Sequence, residues 1–169
     1  LPVLVLVHGV HDKSIDEPRL IRFAESIAAQ GFLVITPEIR ELANYHVTAE
    51  SVVTVESVLD DVSTQGHARV GLAGISFGGG LALLAAAEPR YAAKVGFVMT
   101  IGAYDDLHRV TTYFLTGASA DPEGRASTIR PHEYGPMVFA YENADVLFTE
   151  PMRAPARAAM RAWLEERQT

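Results

Sequence analysis

"ARVGLAGISFGGGLALLAAA", residues 68–87, decides how the rest of the chain is read. Its first part, 68–75, is a run of apolar and small residues and reads as a strand. Its last part, 77–87, is rich in alanine and leucine and reads as a helix. One serine, Ser76, stands at the join, framed by Gly74 and Gly78. Those glycines remove side chains that would collide as strand and helix approach, and Gly79 and Gly80 allow still closer packing at the helix start. The serine is expected on a tight, strained turn with Oγ held above the carboxyl end of the sheet. The backbone N–H of Phe77 then points the same way, from a helix end that favours developing negative charge. Ser76 is therefore the candidate nucleophile. The bland alternative is a glycine-rich turn needed only for packing. A phosphate loop does not fit, because no Lys-Ser/Thr pair follows the glycines.

Working outward, strands and helices alternate. "VLVLV" at 3–7 reads as a buried strand and "HGVHDKS" as the polar loop after it. Leu20, Phe23, Ala24, Ile27 and Ala28 give 17–29 a helical period, with Pro18 suited to the first turn and Gly31 to the stop. "FLVIT" at 32–36 is the second strand. Val52, Val55, Leu59 and Val62 share a face of a helix over 48–63, with Thr48 as its cap. After the strand and helix of the opening stretch, 95–101 is the fourth strand. Strands without polar alternation, joined through helices, predict a mostly parallel sheet covered on both faces, a three-layer α/β/α sandwich. Beyond Gly102 no strand is expected. Helices are predicted near 105–115, 133–149 and 152–168, with a loop at 116–128. The domain reading is a core over 1–106 and a helical cap or insertion over 107–169.

Composition narrows the function. Of 169 residues 49% are hydrophobic, enough for a globular core, and the formal net charge of -7 argues against a nucleic-acid surface. No stretch reaches the length of a transmembrane helix. Cysteine is absent, which removes disulfides, thiolate catalysis and Cys-based zinc sites but does not fix the compartment. No His-Glu-x-x-His or Asp-rich calcium loop is present, and the loop after the first strand lacks Gly-x-Gly-x-x-Gly, so no metal and no cofactor is expected. In that loop Gly9 lets the backbone pass close to a ligand, and the N–H of Val10 is the candidate second oxyanion donor beside Phe77. His8 is expected to shape the loop through its ring hydrogen bonds, with the catalytic base as its alternative role. His11 reads as a residue near the pocket mouth or a solvated loop histidine.

"LVLVHGV" at 4–10, "AAQGFLVITPEI" at 28–39, "GLAGISFGG" at 71–79 and "VGFVMTIGAYDD" at 95–106 together resemble the α/β-hydrolases, in that family's order, over roughly the first 106 residues. The resemblance implies Ser76 as nucleophile of an elbow, Phe77 and Val10 as oxyanion donors, and an esterase or dienelactone-hydrolase-like activity. It also implies, with the crossover rule, a sheet in which 68–75 lies between 3–7 and 95–101 with 32–36 on the far side of 3–7, two strands before Leu1, and an acid and a histidine on strands after the helical segment. A continuation of the chain, or a second chain, would complete sheet and triad. Within the chain, Asp105 is the candidate acid, with a helix-cap role as its alternative, and His108 and His132 are candidate bases. His46 and His67 read as surface or loop residues. Aromatic residues such as Tyr113, Phe114, Phe139 and Trp163 either cap the pocket, which over a serine nucleophile suits a small apolar ester-like substrate, or only cover the sheet. A hydrolase-like scaffold without catalysis is the rival reading.

Overall fold

Five apolar residues in a row can be satisfied only by burial on both faces of a sheet. Val3–Val7 is β1, and all five of its side chains are buried, each contributing on the order of 1.5–3 kcal/mol. The computed structural model describes residues 1–67, 69–104 and 106–166. The chain divides into two compact units, Leu1–Asp105 and Asp106–Thr169.

In the first unit, β1 is followed by a 3-10 turn (Ser14–Asp16), α1 (Pro18–Ala28), β2 (Leu33–Ile35), α2 (Arg40–Ala43), α3 (Glu50–Thr64), β3 (Val70–Ile75), α4 (Phe77–Ala87), α5 (Pro89–Ala92) and β4 (Val95–Ile101). The four strands form one parallel sheet in the order β2-β1-β3-β4. This is the order that the crossover rule and the hydrolase resemblance imply. Side chains alternate across the sheet. Leu4, Leu6 and Ala73 join Leu20, Phe23, Ala24 and Ile27 of α1 on one face. On the other, α3 and α4 pack against β1, and α4 reaches β3 and β4 as well. The result is three layers.

Local chemistry sets the boundaries. Pro18 opens α1, and the Glu17 carboxylate accepts the Leu20 N–H at 2.7 Å. Gly31, at φ 91°, comes after the helix and turns the chain toward β2. α3 begins later than expected, with Ala49 rather than Thr48 at its cap and no side-chain capping bond. Asp60 fastens α3 to α5 and the residues leading into β4. It accepts from the Tyr91 hydroxyl at 3.0 Å and from Lys94 Nζ at 3.0 Å, and it pairs with Arg90.

The second unit contains α6 (Leu107–Thr116), β5 (Ala118–Ala120), β6 (Ala126–Thr128), α7 (Tyr134–Glu142), α8 (Ala144–Leu147) and α9 (Arg153–Glu166). Asp106 caps α6, its carboxylate accepting from His108 N at 2.7 Å and Arg109 N at 3.1 Å. Two expectations are corrected here. The segment 116–128 is not all loop: β5 and β6 pair antiparallel, closed by Asp121, which accepts from Arg125 N at 2.8 Å and Arg125 Nε at 2.7 Å. The helix expected over 133–149 is broken at Asn143, whose side-chain amide donates to Phe139 O at 2.9 Å. No helix among the described residues is long and apolar enough to cross a membrane.

Candidate functional site

Ser76 directly succeeds β3, at the carboxyl end of the parallel sheet. Its backbone lies at φ 52°, ψ -126°, a region that costs a non-glycine residue about 1–3 kcal/mol. Two backbone bonds hold it there: Ser76 N–H donates to Ile101 O of β4 at 2.8 Å, and Ser76 O accepts from Gly79 N at 2.9 Å. A serine before a helix ordinarily turns its hydroxyl back to cap the first amides. Here no side-chain capping bond forms. Ser76 is exposed, and no hydrogen bond to its Oγ is present among the described residues. Phe77 is the first residue of α4, so its N–H is one of the amides no carbonyl within the helix can reach.

The glycines around Ser76 mark close approaches. A β-carbon on Gly74 would overlap the backbone of Gly78 and Gly79, and one on Gly78 would overlap the carbonyl of His8. One on Gly9 would come within 3.2 Å of Ser76 Cβ. The loop after β1 therefore runs directly against the Ser76 turn, which puts Gly9 and the neighbouring Val10 beside it. Val10 itself is buried.

His8 braces that loop. The Ile39 N–H donates to Nε2 at 3.1 Å, so Nε2 must be unprotonated; Nδ1–H then donates to Gly9 O at 2.7 Å. Ser14 Oγ, on a residue itself at φ 50°, lies 3.2 Å from the same Nε2. Burial lowers the His8 pKa and favours this neutral form. With both ring nitrogens engaged, His8 shapes the loop, as its sequence position led one to expect. His11 is not a solvated histidine: it is only 9% exposed, its Nδ1 accepts from Lys13 N at 3.1 Å, and Nε2 is buried without a partner. Burial lowers its pKa too.

Of the remaining candidates, His108 is exposed in the first turn of α6, where its backbone N–H serves the Asp106 cap. His132 is exposed before α7; its Nδ1 accepts from Tyr134 N at 3.3 Å, and it lines an open pocket of about 260 Å³ with Arg130 and Trp163. His46 and His67 are half-buried. Asp105 lies outside the described residues; the helix-cap role considered for it is filled by its neighbour Asp106. One residue that sequence reading passed over is Tyr104. Its ring meets Phe77 edge-on, with centroids 5.4 Å apart, and covers the face of Gly80. Its place just past the carboxyl end of a parallel strand, where ligands gather in such sheets, was the available signal.

No family model matches the chain, and no curated protein does. Among solved structures, an extracellular α/β-hydrolase from a Paenibacillus species, described as sharing structural and functional homology with tobacco salicylic acid binding protein 2, is similar at 20% identity and a TM-score of 0.49, over 87% of this chain and 52% of that one. DcsB, solved in complex with its substrate analogue, is similar at 17% identity and a TM-score of 0.46, over 93% of this chain and 64% of its own. The chain thus spans about half of the first structure and less than two thirds of the second.

Proposed function

We propose that this chain carries the nucleophile of a serine hydrolase acting on carboxylic esters, with Ser76 at an elbow of the α/β-hydrolase type. One observation carries the reading: a non-glycine residue held at positive φ between strand and helix, with a hydroxyl not spent on capping that helix. Such strain persists where surrounding structure enforces it, and it concentrates at functional sites. In the proposed reaction Ser76 Oγ attacks the ester carbonyl carbon while a histidine takes its proton. The N–H groups of Phe77 and Val10 hold the oxyanion. Collapse expels the alcohol with that proton and leaves an acyl-serine, which water cleaves to the free acid and regenerated serine. Lactones, thioesters and amides would use the same groups. For the base and the acid the reading looks to a continuation of the chain or a second chain, with His108 and His132 as the alternative bases in this chain and Asp105 as its alternative acid.

The rival reading is a hydrolase-like scaffold without catalysis, favoured by the missing hydrogen bond to Ser76 Oγ among the described residues. A fluorophosphonate probe separates the two, because it reacts only with an activated serine. The expected result is one adduct per chain, located by mass spectrometry on the peptide holding Ser76, and none in Ser76→Ala. Alanine keeps the turn and the donors but removes the atom that is acylated. Folded wild-type protein that takes up no probe would favour the scaffold. Labelling that persists in His108→Ala and His132→Ala would take the base away from both.

A further inference from the structure

Tyr104 is attached to the Ser76 turn by two contacts that leave its ring little freedom. It packs edge-on against Phe77, at 5.4 Å between centroids and 63° between planes. It also fills the space that a side chain at position 80 would take: a β-carbon on Gly80 would overlap the ring and lie 2.9 Å from the hydroxyl. The next glycine back, Gly79, gives similar room to Ala103, so residues 103 and 104 are seated on the first turn of α4. Phe77, whose ring Tyr104 meets, follows Ser76 directly, and Gly80, which it covers, lies in the first turn of the helix that Ser76 opens, so Tyr104 is seated on the turn that presents the serine. The Tyr104 hydroxyl has no hydrogen-bond partner among the described residues, although the residue is half-buried. Its pKa is raised by burial alone, the sign of a phenol partly removed from water. A half-dehydrated donor without an acceptor, fixed beside an exposed serine, is set to receive an acceptor from outside the chain.

We propose that Tyr104 is a specificity-determining residue of the Ser76 site, its ring forming one wall and its hydroxyl donating to an oxygen that the substrate carries one or two bonds beyond the reacting carbonyl. This rests on the Ser76 reading and narrows it, from apolar esters to esters with an oxygen-bearing acyl group such as alkoxy or hydroxy acids. The ester carbonyl itself is left to the backbone amides, so the phenol adds a further point of recognition. A neutral hydrogen bond of this kind corresponds to about a fivefold to tenfold preference.

The test uses two esters of the same shape, para-nitrophenyl methoxyacetate and para-nitrophenyl butyrate, which differ by one ether oxygen in place of a methylene. Binding is measured on the Ser76→Ala protein, which cannot turn either over. The methoxyacetate is expected to bind about fivefold to tenfold more tightly, and the gap should close in Ser76→Ala/Tyr104→Phe, which keeps the ring and loses only the hydroxyl. Gly80→Ala in the same background should also close it by pushing the ring aside. A merely structural role for Tyr104 would weaken both esters alike. Equal affinities with Tyr104 present, a gap that survives Tyr104→Phe, or no binding of either ester would overturn the proposal. Failure of the Ser76 reading shows separately, as a wild-type protein that binds with the expected gap yet takes up no fluorophosphonate.

Discussion

At the scale of single residues, the strain at Ser76 can be weighed directly. Glycine adopts φ 52° without the steric cost that serine bears. Ser76→Gly should therefore raise stability by about 1 kcal/mol while abolishing probe uptake, and a lowered or unchanged urea midpoint would show that the turn is not strained. His8 gives a second prediction, in pH. The Ile39 N–H requires an unprotonated Nε2, and burial holds the pKa below the ordinary 6.5. A lowered histidine pKa means that the unfolded chain takes the proton first. This contribution to stability is complete above about pH 6.5 and is lost as pH falls through that value toward the folded pKa. His11 shifts the same way and adds to the loss. Urea midpoints between pH 8 and 5 should fall for the wild type and fall less steeply for His8→Asn; parallel curves would remove His8 from the account.

Among elements, the join of β3 and α4 is closely packed. Gly74 sits where the strand passes the first turn of the helix, and an alanine there has its β-carbon inside the backbone of Gly78 and Gly79. Backbone cannot rotate away as a side chain can. Gly74→Ala should cost about 3 kcal/mol, the upper range for overpacking, and should reduce probe uptake by moving Ser76. Full retention of both would show that the turn can slide. These packing demands made the join legible in the sequence, as did the unbroken apolar runs of β1 and β3. What stayed hidden has a physical cause as well. β5 and β6 are three-residue strands of alanine, serine and threonine, with no apolar alternation to betray them. The break at Asn143 depends on a side-chain bond to the preceding turn rather than on a proline or glycine. The place of Tyr104 shows only in the fold, which lays its ring across Gly80.

For the whole molecule, the two units differ in how deeply they are built. The first places the side chains of β1, and of β3 through Gly74, out of contact with water, together with Val55, Leu59 and Val62 of α3 and Leu81, Ala82 and Ala85 of α4. In the second, the apolar residues buried to the same degree are Val138, Tyr141, Ala144 and Leu164 among those described, while α6 has none. Burial of apolar surface is the main force opposing local opening, so stability should be uneven along the chain. The candidate nucleophile is tied to the first unit through the Ser76 N–H bond to Ile101 of β4, a strand whose side chains are largely exposed. Native-state hydrogen exchange measures this directly. Amides of β1 and β3 should exchange only through global unfolding, with free energies that track the denaturant midpoint. Amides of α6, β5 and β6 should exchange through smaller openings that depend little on denaturant. The Ser76 amide should group with β3 rather than with the surface turns, because its acceptor is a strand carbonyl. Uniform protection across both units would mean that they open as one, and fast exchange at Ser76 would mean that the strained turn is not held by the sheet.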